Sequence, residues 1–327
     1  MISRIRTCSL YIKEYGLKCF LAINLSKLFS FTDNDPQWKR NILQYKHKVI
    51  LDYLCNYLSL EKEEHSSVRV NDKDEYKNCI WTAWLQGEED APEVIKLNFA
   101  SIREKSSGHS VIVITNKNVS CFISVPESIK QKHESGIIGH AHYSDMIRMM
   151  ILAQYGGIWL DATIFLHAPI DEKAFSSSFY SVGFLSGKGL YVSEHKWLVR
   201  VIGGNNNSAI LNTISSMLNS YWIEHSVPID YFVFDYLIAV LYRENPEFHL
   251  IIDSLPKIKF FTDELRKNIN DQYSENVLNR LFQGNQIYTL SYKYDYQKQT
   301  PDGKISNYGY LVNKILENGT EENNDSV

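Results

Sequence analysis

The segment 142–166 (HYSDMIRMMILAQYGGIWLDATIFL) most constrains how this chain can fold. Apolar side chains at 146–152 surround the axis of a helix, so most faces of that helix must be buried. Gly156 suits the positive φ with which many helices end, and Gly157 allows an abrupt turn into the following residues. The pattern therefore predicts a buried helix that leads directly into a buried strand.

Only three charged side chains interrupt this apolar unit: Asp145, Arg148 and Asp161. A buried charge is costly unless it is paired or bound to a ligand. One interpretation is structural, since Asp145 and Arg148 are three residues apart on one helix face and Asp161 would occupy a turn. The other interpretation is a binding site, and the rest of the chain favours it.

Upstream of this unit, short apolar strands alternate with helices. Strands are predicted at 79–85 and 111–115, and helices begin near Pro92 and Pro126. The strand at 111–115 is apolar throughout, which is typical of a strand buried on both faces of a parallel sheet. This alternation predicts an α/β fold with right-handed crossovers.

The carboxyl ends of the predicted strands carry the candidate site residues. Trp84, Asn116 and Asp161 all follow or end a strand, and ligands of α/β sheets bind at this edge. Farther along, 230–243 predicts an apolar helix with Asp235 alone in its middle. A lone buried carboxylate needs a partner, so Asp235 is a candidate for a metal-binding, acceptor-binding or catalytic role.

Composition limits the class of protein. The 327 residues carry a net charge of −4, which gives no support for binding nucleic acid. Five cysteines are scattered without a CxxC pair, so neither a zinc site nor a disulfide framework is indicated and a cytoplasmic location is expected. The uncharged apolar stretches fall well short of the roughly 20 residues that span a bilayer.

Four regions are predicted: an N-terminal helical segment at 1–77, a core at 78–250, a part that completes the site at 251–316, and a disordered acidic tail at 317–327. Residues 1–31 interleave basic and apolar side chains. Such helices either pack on the protein body or lie on the inner face of a cell membrane. Both alternatives remain open from the sequence.

The combined motifs resemble DXD-type sugar transferases related to glycosyltransferase family 32, and especially the bacterial capsular polysaccharide synthesis proteins. The matching pattern covers roughly residues 78–243, and its combined spacing is specific. The motifs are WTAWLQG at 81–87, SDMIR at 144–148, YGGIWLDAT at 155–163 and DYFVFDY at 230–236. Thr163 stands where members with a full Asp-x-Asp have a second acid.

The resemblance implies a GT-A type, Rossmann-like mixed sheet flanked by helices, with helical additions at both ends. It also implies a nucleotide-sugar donor, commonly UDP-linked, an Mn²⁺ or Mg²⁺ ion, and retention at the anomeric carbon. The carried-over roles are base stacking for Trp84, ribose or sugar contacts for Asp145, a donor-sugar contact for Arg148, and a metal or sugar contact for Asp161. Trp159, Thr163 and Asn116 complete the expected donor site, and Asp161, Asp235 and Arg148 are the candidate catalytic residues.

Two hypotheses about function follow. The first is a glycosyltransferase that extends a capsular or surface polysaccharide, or a lipid-linked oligosaccharide. The second, suggested by Thr163, is a catalytically inactive protein that binds sugar nucleotides.

Overall fold

The computed structural model describes residues 2–32, 35–60, 76–185, 190–258, 263–283 and 286–317, with the side chains at 2–7, 59–60 and 263–264 excluded. The acidic tail predicted at 317–327 lies outside these residues except for Glu317. Within the described part, the helices are α1 Ile2–Lys27, α2 Gln37–Leu60, α3 Glu93–Glu104, α4 Val119–Phe122, α5 Glu127–Glu134, α6 His140–Tyr155, α7 Lys173–Ser176, α8 Ala209–Glu224, α9 Val233–Glu244, α10 Pro246–Asp253, α11 Asp263–Asn268, α12 Glu275–Phe282 and α13 Asn307–Val312, followed by a π-helix at Asn313–Glu317.

The strands form one five-stranded sheet and two small two-stranded sheets. The order in the large sheet is β2-β1-β3-β7-β5, and the small sheets pair β4 with β9 and β6 with β8. The strands are β1 Ile80–Ala83, β2 Val111–Ile114, β3 Gly157–Leu160, β4 Ile164–Leu166, β5 Tyr180–Ser181, β6 Gly183–Phe184, β7 Val201–Gly204, β8 Lys257–Ile258 and β9 Ile287–Thr289.

The large sheet is mixed, as predicted. Strands β2, β1 and β3 run parallel, whereas β7 runs antiparallel to both β3 and β5. Helices flank this sheet, so the predicted α/β class is confirmed. One detail was wrong: Val111–Ile114 is an edge strand and only half-buried, because it has a neighbour on one side only.

The Gly156–Gly157 pair joins α6 to β3 where no larger residue fits. Both glycines have a positive φ, 65° and 86°. A Cβ on Gly156 would lie 2.5 Å from the backbone nitrogen of Asn206, and one on Gly157 would collide with the carbonyl oxygen of Cys79. The tight reversal brings the start of β3 against the end of α6.

The N-terminal helices pack on the protein body. Helix α1 is kinked at Gly16, where φ is 79°. Just before the kink, the Tyr11 hydroxyl donates to the Ile229 carbonyl at 2.7 Å, and the Tyr15 and Tyr221 hydroxyls are hydrogen-bonded at 2.7 Å. The described part of this segment therefore packs on the body, and contact of its exposed side with a membrane stays a prediction.

Two element predictions downstream need correction. The apolar helix predicted at 230–243 begins only at Val233, so Asp235 lies in its first turn rather than its middle. The sequence pattern at 179–192 also predicts two strands that pair with each other across the glycines at 187 and 189. Among the described residues of this range, β5 pairs with β7 and β6 pairs with β8 instead.

Candidate active site

The candidate site lies at the carboxyl ends of β1 and β3. Trp84 follows β1 directly and Asp161 follows β3 directly, and these strands are parallel neighbours. Helix α6 then contributes Asp145 and Arg148, because the glycine turn folds β3 back along it. Trp84 and Asp161 thus follow neighbouring strands of the sheet, and the roles of these groups in a binding site stay predictions.

Arg148 is the centre of this site. Its Nη1 donates to Asp145 Oδ1 at 2.8 Å, and its Nη2 donates to Asp161 Oδ1 at 2.5 Å. The arginine is buried, with only 3% of its surface exposed. The guanidinium also lies over the Trp159 and Phe234 rings, at 5.3 and 5.5 Å from their centroids. One buried cation is thus shared between two carboxylates and enclosed by aromatic faces.

Trp159 also orients Asp161 directly. Its indole Nε1 donates to Asp161 Oδ1 at 2.7 Å. The two residues are two apart along the chain at the end of β3, so their side chains point to the same side. Asp161 therefore has one oxygen held by an indole and a guanidinium, while 23% of the side chain stays exposed.

Asp235 joins the same electrostatic cluster from α9. Its Oδ1 accepts a hydrogen bond from Trp197 Nε1 at 3.0 Å. Burial raises the pKa of Asp235 to about 6, while Trp197, Arg148 and Arg200 act to lower it. Burial likewise raises the pKa of Asp145 to about 7, against the lowering effect of Arg148. Near-neutral pKa values are typical of groups that exchange protons in function, although buried ion networks produce them too.

The other expected donor-site residues lie around this cluster. The Trp84 ring is half-buried and meets Tyr292 edge-on at 5.4 Å. Asn116 is exposed after β2, and its backbone N–H donates to the Leu85 carbonyl at 2.9 Å. Thr163 is half-buried, and its carbonyl accepts from the Leu290 N–H at 2.8 Å. Their roles in donor binding stay predictions.

Sequence reasoning missed Arg200. It precedes β7, and because β7 runs antiparallel to β3, its carbonyl accepts from the Asp161 N–H at 3.0 Å. Its Nη1 donates to Thr289 Oγ1 at 3.2 Å, and no carboxylate among the described residues forms an ion pair with it. The available signal was one arginine inside the apolar run 197–202 (WLVRVI).

The C-terminal part closes one side of the site. Strand β9 pairs antiparallel with β4, with Thr289 opposite Ile164. This pairing places Thr289 beside Arg200 and Tyr292 beside Trp84. The Asn98 side chain ties the two segments together by donating to the carbonyls of Ala162 and Leu290, at 2.9 and 3.1 Å.

The described residues do not form a metal site by themselves. They contain no group of three or more His, Cys, Asp or Glu side chains that could hold an ion. Asp161 Oδ1 already accepts two hydrogen bonds, and Thr163 adds no charge at the second position of the motif. A single carboxylate does suit the mode in which Mg²⁺ is bound by one or two carboxylates together with substrate phosphates.

The fold and this site define an α/β protein with a carboxylate–guanidinium cluster at the edge of its sheet. Residues 33–309 match the family model described as capsular polysaccharide synthesis protein. The chain belongs to this family, which confirms the resemblance drawn from the motifs. Among curated protein sequences, none matches the chain.

Two of the solved structures with some similarity to this chain are described as glycosyltransferases. The apo structure of the bifunctional enzyme WbbM has 10% identity and a TM-score of 0.40, and the match covers 93% of this chain and 63% of that one. The PaToxG glycosyltransferase has 15% identity and a TM-score of 0.38, with 66% of this chain and 83% of that one covered. Similarity at this level carries no argument about the present chain.

None of the described helices is long and apolar enough to cross a membrane.

Proposed function

We propose that this protein is a retaining glycosyltransferase that uses a nucleotide-sugar donor, UDP-linked, to extend a capsular or surface polysaccharide or a lipid-linked oligosaccharide. The observation that carries the proposal is the buried Arg148 held between Asp145 and Asp161 at the carboxyl end of β3. Membership of the capsular polysaccharide synthesis family supports the acceptor class.

In this proposal the chain binds the donor across the edge of the sheet. Trp84 stacks on the base, and Asp145 and Asp161 accept hydrogen bonds from ribose or sugar hydroxyls. Asn116, Trp159 and Thr163 line the donor site. Arg200 faces the diphosphate, because its guanidinium lacks a carboxylate partner among the described residues and has only the neutral Thr289 hydroxyl as a hydrogen-bond partner.

During transfer, the bond between the anomeric carbon and the β-phosphate oxygen breaks, and a bond to the acceptor hydroxyl oxygen forms on the same face. The hydroxyl proton leaves to the released diphosphate or to solvent. Arg148 and Arg200 stabilise charge that develops on the leaving group, where electrostatic stabilisation has its greatest effect. Asp235, whose pKa is about 6, is the proposed catalytic carboxylate beside the reacting carbon.

We propose Mn²⁺ or Mg²⁺ as the cofactor, held by Asp161 together with the phosphates of the donor. When bound, the ion would neutralise charge on the diphosphate. Because the protein supplies so few ligands, we expect a thermal shift from Mn²⁺ only when UDP is also present.

The function is tested by UDP release from a panel of UDP-sugars, using the full chain with Mn²⁺ or with EDTA and with or without saccharide acceptors. We expect one donor to give release that an acceptor accelerates and that EDTA abolishes. The alternative, an inactive sugar-nucleotide-binding protein, is suggested by Thr163, which stands where other members have a second acid. Donor binding by calorimetry without release under any condition would establish that alternative, whereas absence of both binding and release would refute both functions.

A further inference from the structure

The second half of α1 has one buried face and one apolar exposed face. After the kink at Gly16, Cys19, Ala22, Ile23 and Ser26 are buried against the body. The opposite side carries leucines spaced four and then three residues apart, which places them on one stripe of the helix surface. These are Leu17, Leu21, Leu25 and, just past the helix, Leu28, exposed by 57%, 57%, 41% and 75%.

An exposed tryptophan at the start of α2 contacts the residue that follows Leu28. Trp38 is 57% exposed, and its ring meets Phe29 edge-on at 5.7 Å. We call Leu17, Leu21, Leu25, Leu28 and Trp38 the leucine face. Exposed apolar side chains scattered singly are ordinary, but a contiguous stripe of this kind marks an interaction surface.

Lysines border the leucine face on both sides. On a helix that turns about 100° per residue, Lys18 lies about 100° to one side of Leu17 and Lys27 about 80° to the other. Both lysines are exposed, and neither forms an ion pair within the described residues.

Acidic side chains at this end of the molecule are engaged elsewhere. Glu14 lies 3.3 Å from His225, and Asp35 lies 3.1 Å from the Lys39 ammonium. Glu14 and Asp35 are the acids of the described ranges 8–32 and 35–48. Within the described ranges 8–32 and 35–48, Lys18 and Lys27 therefore have no acidic partner.

We propose that the leucine face docks this protein on an anionic lipid bilayer. An apolar stripe with lysines on both edges matches a helix that lies in the membrane interface, with leucines and tryptophan among acyl chains and ammonium groups at the headgroup phosphates. A second copy of the chain fits less well, because two such faces would bring lysines of like charge together. This docking does not depend on the donor chemistry.

The test is co-sedimentation of the full chain with vesicles of phosphatidylcholine alone or mixed with phosphatidylglycerol. We expect binding at least about ten-fold tighter to the anionic vesicles, weakened by salt. The variant Leu17→Ser/Leu21→Ser/Leu28→Ser should lose binding, and each Lys18→Glu or Lys27→Glu change should weaken it by at least about five-fold. Leu250→Ser is the matched control, since Leu250 is 71% exposed on α10, away from this face.

Equal binding to both kinds of vesicle, or binding that survives the triple leucine change, would overturn the proposal. So would a dimer in light scattering that the leucine changes convert into a monomer, because the face would then be an interface between copies. Circular dichroism of the triple variant verifies that it is folded. UDP release without vesicles reports separately on the proposed activity, so failure of one proposal is distinguishable from failure of the other.

Discussion

Helices α6 and α1 distribute charge and apolar surface in opposite ways. Helix α6 buries Arg148 among apolar side chains and pairs it with Asp145, whose side chain is 19% exposed. Helix α1 instead leaves Leu17 and Leu21 in solvent while its other face is buried. Both arrangements cost stability relative to ordinary patterning, and such departures concentrate at functional sites. The comparison teaches that the site on α6 is a preorganised part of the fold, whereas α1 offers a surface that lacks a partner.

The largest expected effect comes from removing the buried cation. Arg148→Met leaves Asp145 and Asp161 without their shared guanidinium, and the loss of one partner from a buried ionic network typically costs about 3–5 kcal/mol. We expect a loss of this size in the unfolding free energy measured by urea denaturation. Arg243→Met is the control, because Arg243 pairs with Asp52 at the surface, where half of its side chain is exposed. Equal stability of the two variants would show that the α6 network is not preorganised.

Asp161→Asn should lower activity while leaving the stability of the fold nearly unchanged. The amide oxygen still accepts from Trp159 and Arg148, so the melting temperature should stay within a few degrees, while loss of the carboxylate lowers UDP release about 10²–10³-fold. Asp171→Asn, an exposed change on the surface, is the control. A variant of Asp161 that retains full activity would remove this residue from the site.

The α6–β3 unit was predictable because its local pattern and its tertiary role agree. Because two glycines reverse the chain between an apolar helix and a buried strand, the strand must pack back against the helix. This packing brings Asp145, Arg148 and Asp161 together. Arg200 was not predictable in the same way. Its position depends on the antiparallel direction of β7, which is set by pairing with β3 rather than by residues near Arg200.

Other misses have the same origin. The buried face of α1 is selected by contacts such as that between Tyr15 and Tyr221, which are 206 positions apart. From the sequence, Leu17 and Leu21 looked equivalent to Ile23, and only packing distinguishes the exposed leucines from the buried isoleucine. Asp235 was singled out from the sequence as a candidate carboxylate, yet its partner Trp197 was not, because the two meet only through the fold.

Arg200→Ala tests whether Arg200, which the sequence analysis missed, contacts the diphosphate of the donor. If its guanidinium contacts the diphosphate, the KM for the donor should rise about 10–100-fold, since a charge-assisted hydrogen bond contributes about 1.5–3 kcal/mol. Arg200→Lys should recover part of this loss because the charge remains. Thr289→Val removes only the hydroxyl that accepts from Arg200. An unchanged donor KM in Arg200→Ala would place the diphosphate elsewhere.

Asp235→Asn should alter the pH dependence of stability. The pKa of Asp235 is raised from 3.8 to about 6, so between about pH 4 and pH 6 the folded protein holds a proton that the unfolded chain has lost. The contribution of Asp235 to the unfolding free energy therefore falls as pH rises through this window and levels off above it, while Asp145, whose pKa is raised to about 7, continues the fall toward pH 7. The unfolding free energy of Asp235→Asn should fall less steeply with pH than that of the unmodified protein. At pH 7 the variant should be about 1–2 kcal/mol more stable than the unmodified protein. Asp253→Asn should lack this gain, because Lys196 lowers the pKa of Asp253.

The last prediction compares the two faces of α1, and its leucine changes have the smallest expected effect of all. Ile23→Ala, on the buried face, should lower the unfolding free energy by about 2–4 kcal/mol through lost burial and a cavity. Leu17→Ser and Leu21→Ser, on the exposed face of the same helix, should each change it by less than about 0.5 kcal/mol. Urea denaturation without lipid measures all three. A large loss in the leucine variants would mean that the leucine face already packs within the protein, and its availability for a bilayer would be refuted together with the contrast between α1 and α6.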